Sequence, residues 1–94
     1  MTPRQRSLEV VYGPVFEKRL RELQAVRRAA CLRVIAALAA GAPTPGMRVK
    51  PIQPAKRYSE ARIASGDRLI FRVADGALVL IDVVEHDDIG RYSK

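Results

Sequence analysis

Residues 66–84 read Gly-Asp-Arg-Leu-Ile-Phe-Arg-Val-Ala-Asp-Gly-Ala-Leu-Val-Leu-Ile-Asp-Val-Val, and this stretch decides the fold. Asp75-Gly76 is a two-residue hairpin signal, because the favoured turn needs positive φ at both central positions. Before it, Leu69, Phe71 and Val73 alternate with Arg68 and Arg72, which predicts a strand with one apolar and one basic face. After it, Ala77 to Val84 is apolar except for Asp82, the pattern of a central strand covered on both faces. Ser65-Gly66-Asp67 supplies a further turn, so Tyr58 to Ala64 is expected to complete an antiparallel meander of three strands.

Working towards the N-terminus, residues 46–57 carry Arg48, Lys50, Lys56 and Arg57 between Pro51 and Pro54 and read as a connector or weak edge strand. Upstream, Leu8 to Tyr12 is β-branched and aromatic, and Gly13-Pro14 ends it and starts a helix with proline in its first turn. Phe16, Leu20 and Leu23 recur at helical spacing, the phase changes near Gln24, and Cys31, Ile35 and Leu38 mark a second apolar stripe that Gly41 terminates. The predicted order is strand, helix, helix and three strands. This is an α+β fold, with an N-terminal strand and a two-helix hairpin packed on an antiparallel sheet.

The chain has 94 residues, 48% of them hydrophobic, which supports a single domain over residues 1–94 and is too apolar for a disordered tail. Residues 1–6 and 91–94 are expected to be loose. The longest apolar run, Val34 to Ala40, is far short of the roughly 20 residues that cross a bilayer, and the charged opening has no apolar segment of a secretory signal. A lone Cys31 makes neither an intrachain disulfide nor a paired-cysteine zinc site, so the expectation is a reducing, cytoplasmic compartment with no metal and no cofactor. Seventeen Lys and Arg oppose ten Asp and Glu, for a net charge of +7, and thirteen of those bases are Arg. The guanidinium fork matches phosphate at two points, so a polyanion is the natural partner.

The series Tyr58-Ser-Glu-Ala-Arg62-Ile, Gly66-Asp-Arg68, Asp75-Gly76 and Leu78-Val-Leu-Ile-Asp-Val-Val-Glu-His86-Asp-Asp resembles the last three strands of the RelE/ParE superfamily, small toxins of bacterial type II toxin–antitoxin pairs. The upstream strand, two helices and basic linker come in that family's order, so the resemblance covers nearly the whole chain. It implies a RelE-like fold, a cognate antitoxin as partner and metal-independent cutting of messenger RNA on the ribosome. In that chemistry a ribose 2′-oxygen attacks the neighbouring phosphate, which calls for cations, a base and an acid. Arg62 and Arg68 match the family's strand arginines as catalytic candidates, and Lys50 looks like a linker lysine. Lys50, Lys56, Arg57 and Arg72 are the expected RNA contacts. Where ribosome-dependent members carry a further arginine and a tyrosine near the C-terminus, this chain has Asp87 and Gly90; Tyr92 substitutes only if the tail folds back.

His86 has two readings. Its ordinary pKa near 6.5 suits proton transfer. Alternatively, Asp87 or Asp88 caps a following helical turn and the histidine is merely structural. Arg27, Arg28 and Arg33 are most simply the solvent face of the second helix, and Cys31 is a core residue. Two rival functions remain open at this point, namely a ParE-like inhibitor of DNA gyrase that cuts nothing and a degenerate module that only binds protein.

Overall fold

A computed structural model of the chain describes residues 7–64 and 66–94. Strand β1 (Glu9–Tyr12) leads into helices α1 (Pro14–Glu22) and α2 (Ala25–Ala39), followed by a 3₁₀ turn at Pro45–Met47. Strands β2 (Lys50–Pro51), β3 (Ser59–Ala64), β4 (Asp67–Ala74) and β5 (Ala77–Glu85) come next, and a 3₁₀ segment, His86–Tyr92, closes the chain. The sheet order is β1-β5-β4-β3-β2. The meander is antiparallel, as expected, and Asp75 and Gly76 take the positive φ values of 52° and 77° that the hairpin demands.

The expected α+β class and element order hold, and two details of the packing refine them. The N-terminal strand does not pack on the sheet; it joins the sheet's edge, parallel to β5, with Glu9 opposite Ala77 and Tyr12 opposite Leu80. The sheet is therefore mixed. Nor do the helices pair with one another as a hairpin: α1 lies along β5 and α2 over β3, each packing on the sheet more than on its neighbour. Arg28 donates from Nε to the Leu20 carbonyl (3.2 Å) and from Nη2 to that of Leu23 (2.7 Å), capping the end of α1 and turning the chain before α2.

The main core lies between helices and sheet, where Phe16, Cys31, Val34, Ile35 and Leu38 meet Leu69, Phe71, Leu78 and Leu80. A smaller cluster covers the opposite face, with Ile52, Ile70 and Val84 under Tyr58, Ile81, Ile89 and Tyr92. Both faces of β5 are thereby largely buried, as the apolar run predicts, whereas β4 departs from its expected division into one apolar and one basic face: Ile70, beside the arginines, is fully buried, and Val73 is exposed near the hairpin end. Residues 91–94, expected to be loose, contribute Tyr92 to this cluster, and the Ala55 N–H donates to the Ser93 carbonyl at 3.1 Å. The expectation for residues 1–6 lies outside the described residues. Among the described residues, no helix is long and apolar enough to cross a membrane.

Gly13 fixes where β1 gives way to α1. Its N–H donates to the Leu80 carbonyl at 2.9 Å, and an added Cβ would stand 2.6 Å from that same oxygen. Gly13→Ala should therefore cost about 1–3 kcal/mol through overpacking, whereas Gly90→Ala, with open space around it, should be near neutral. Urea denaturation of both variants checks this; equal midpoints would mean that the close approach to Leu80 does not constrain the fold.

Candidate functional site

Strand pairing assembles the basic residues on β2, β3 and β4. Lys50 stands opposite Glu60, and Arg62 opposite Arg68. Opposite residues in an antiparallel pair share a face, as do residues two apart on one strand. Lys50, Glu60, Arg62 and Arg68 are therefore on one face, while Ala61 and Leu69 enter the core on the other. Arg68 Nε is 3.6 Å from Glu60 Oε1, and Arg68 Nη1 donates to the Asp67 carbonyl at 3.1 Å. The side chains of Arg68 and Glu60 are only 14% and 10% exposed, so their mutual attraction is poorly screened. Arg62 and Lys50 make no ion pair among the described residues. Three cations thus share this face with one carboxylate. Glu60 was not singled out from the sequence, although its place two residues before Arg62 on an alternating strand puts it on the same face.

The tail does fold back, but it ties up the group it delivers. The Tyr92 hydroxyl donates to Asp82 Oδ2 at 2.6 Å, and the edge of its ring packs against Tyr58 with centroids 5.5 Å apart. Asp82 is 1% exposed; its Oδ1 accepts the Val83 N–H at 2.7 Å and lies 3.3 Å from Arg19 Nε. Partial burial, and then the bond to Asp82, push the Tyr92 phenol up to about 12. Tyr92 therefore reaches the sheet face that carries Ile70 with its proton already directed at Asp82.

His86 is placed elsewhere. Its N–H donates to the Gly66 carbonyl at 2.7 Å, but its side chain is 65% exposed, with Nδ1 3.6 Å from Asp87 Oδ1. It lines a cleft with Arg27, Asp67, Glu85 and Asp87, and neither Arg62 nor Arg68 borders that cleft. The cap expected of Asp87 or Asp88 is not formed. Glu85 occupies the N-cap of the terminal 3₁₀ segment, and no side chain caps it. Of the other expected RNA contacts, Lys56 and Arg57 sit exposed on the β2–β3 loop, and Arg72 is exposed on β4 opposite Val79.

Arg27 and Arg28 are not a free solvent face. Arg27 forks onto Asp67 with bonds of 2.8 and 2.7 Å, and Arg28 caps α1. Cys31 is a core residue as expected, and burial raises its thiol to about 12. Among the described residues no cluster of side chains could hold a metal ion.

Cys31 and Tyr92 are both acids whose neutral form the fold favours. Their contribution to stability is complete below the ordinary values of 9.0 and 10.0, and is lost as pH rises towards about 12. Urea midpoints should fall across that alkaline window. Tyr92→Phe should lower stability at neutral pH by about 1–3 kcal/mol, because it removes a partner from a buried carboxylate, and should flatten the upper part of the alkaline decline. An unchanged midpoint and slope would show that the phenol is not held by Asp82.

No known sequence family and no curated protein matches this chain. Solved structures do. YafQ from Escherichia coli superposes with a TM-score of 0.74 at 15% identity, covering 87% of this chain and 97% of that one. A copper-bound mutant toxin from Helicobacter pylori gives 0.73 at 18%, covering 86% and 97%. A chain of the toxin–antitoxin complex RelBE2 from Mycobacterium tuberculosis gives 0.68 at 20%, covering 84% and 98%. The likeness runs through the whole architecture, and this chain has the fold of the RelE-like toxins.

Proposed function

We propose that the chain is the toxin of a type II toxin–antitoxin pair and a metal-independent endonuclease that cuts messenger RNA on the ribosome in the cytoplasm. The fold supports this reading, because chains that share it were crystallised with antitoxins in the DinJ–YafQ and RelB–RelE complexes. The observation that carries it is the pairing of Arg62 with Arg68 beside Glu60. Adjacent guanidinium groups on one sheet face repel each other, and a phosphate placed between them offsets that repulsion and gains charge-assisted hydrogen bonds.

In this mechanism the two arginines hold the scissile phosphate and stabilise the extra charge that develops as the 2′-oxygen attacks. Glu60, held next to Arg68, is the carboxylate placed to take the 2′-hydroxyl proton. Lys50, opposite Glu60 in register, is the ammonium placed to protonate the leaving 5′-oxygen. Tyr92 supports the sheet face and donates its proton to Asp82 instead. His86 stays outside the reaction, because a phosphate entering its cleft would meet the carboxylates of Asp67, Glu85 and Asp87. A cognate antitoxin would cover the basic surface. No observation favours gyrase inhibition or a purely protein-binding role.

Cleavage is checked by in-vitro translation with mapping of mRNA ends, run beside a gyrase supercoiling assay. Arg62→Ala and Arg68→Ala should each slow cleavage about a hundredfold or more, the usual cost of removing one donor from a developing oxyanion. Glu60→Gln should also slow it, and His86→Gln should leave both rate and stability close to parental. Cleavage at the parental rate by both arginine variants would refute the assignment, and loss of a near-neutral pH dependence in His86→Gln would return proton transfer to the histidine. Intact messages together with inhibited supercoiling would refute the nuclease reading altogether.

A further inference from the structure

β2 pairs with only the first two residues of β3, Ser59 and Glu60. Upstream of Lys50 the chain turns away through Arg48, whose φ is 47°, and through the 3₁₀ turn at Pro45–Met47. A groove of about 240 Å³ is left between this turn, α2 and the far half of β3, bordered by Arg33, Val34, Thr44, Gly46, Met47 and Arg62. It has two arginines and no acidic residue on its lining. Arg33 is exposed and, like Arg62, has no ion-pair partner among the described residues.

The contrast with the other end of the sheet favours an anion as the occupant. The cleft beside β5 carries three arginines, Arg19, Arg27 and Arg91, against four carboxylates. Asp82, Asp67 and Asp88 respectively lie within ion-pair distance of those three. Positive charge there is already balanced from within. At the β3 edge no acidic residue borders the groove that Arg33 and Arg62 share, and an anion entering it relieves the repulsion between the two like charges.

We propose that this groove is a second phosphate subsite, in which Arg33 and Arg62 hold the RNA backbone beside the nucleotide that is cut. The inference rests on the reading of the chain as an RNA-cutting toxin. Arg62 belongs to both places, since it stands opposite Arg68 in the sheet and also borders the groove. An RNA strand crossing the Arg62–Arg68 pair therefore continues around the edge of β3 towards α2. Contacts of this kind set register and affinity without reading sequence. The apolar walls of Val34 and Met47 suit the flank of a ribose or base.

The test measures binding of the full chain to a short 2′-O-methylated single-stranded RNA, which cannot be cut, over a range of salt concentrations. Arg33→Ala should weaken binding severalfold and reduce the slope of log K against log salt by about 0.7, the value for one phosphate contact on a single strand. Arg33→Lys should keep most of that slope. Lys18→Ala, which removes from α1 an exposed cation with no ion-pair partner among the described residues, should leave the slope in place. In cleavage assays Arg33→Ala should raise KM with little change in kcat. A parental slope in Arg33→Ala, or an equal loss in Lys18→Ala, overturns the subsite. Parental RNA binding combined with weakened binding of poly-glutamate would assign the groove to an acidic protein segment, and also overturns it. If RNA binding depends on Arg33 in a protein that cuts no message, the groove stands and the nuclease reading falls. If cutting persists while binding ignores Arg33, the nuclease reading stands and the groove falls.

Discussion

The carboxylate of Asp82 is the point on which three parts of the chain converge. It sits on β5 where pairing with β4 slips by one residue: Ile70 opposes Asp82, and Phe71 opposes Leu80. A buried carboxylate is tolerated only when its lone pairs are satisfied. Here the Val83 N–H, the Tyr92 hydroxyl and the Arg19 guanidinium satisfy them. Those partners come from the strand itself, the C-terminal segment and α1. One charge therefore fixes the helix that runs beside β5 and draws the tail onto the sheet, where Tyr92 completes the second apolar cluster.

The same kind of pairing decides where the protein is free to meet an anion. Asp82 and Asp67 bind Arg19 and Arg27, and Asp88 lies near Arg91, so the arginines around the C-terminal end of β5 have carboxylate partners within the chain. Towards the β3–β2 edge of the sheet, Lys50, Arg62 and Arg33 have none among the described residues, and Arg68 shares a single carboxylate, Glu60. A net charge of +7 is thus distributed unevenly by folding as well as by sequence. The proposed phosphate path follows the unbalanced charges from the Arg62–Arg68 pair to the groove at Arg33.

Much of this was legible in the sequence because it depends on short-range rules. The Asp75-Gly76 turn, the alternation in β4 and the helical spacing of Phe16, Leu20 and Leu23 each specify one element, and the elements form where those rules place them. Pairing Arg62 with Arg68 also follows from the turn between β3 and β4. What escaped was long-range. Asp82 reads as an interruption of an apolar run, since nothing nearby in sequence reveals Tyr92 or Arg19 as its partners. Arg27 and Arg28 read as a solvent face until Asp67 and the end of α1 come into contact with them. The parallel docking of β1 on β5 joins residues far apart in the chain and leaves no local pattern. Glu60 is the exception, since strand periodicity alone places it beside Arg62.

Backbone NMR shows whether an RNA strand binds where folding leaves positive charge unbalanced. On titration with an uncleavable single-stranded RNA, amide shifts should concentrate at Arg33, Lys50, Glu60, Arg62 and Arg68, while Asp82 and Glu85 to Asp88 remain still. Shifts concentrated instead at Glu85 to Asp88 and along α1 beside Arg19 would contradict that binding mode, because RNA would then be binding where each arginine already has an acidic partner.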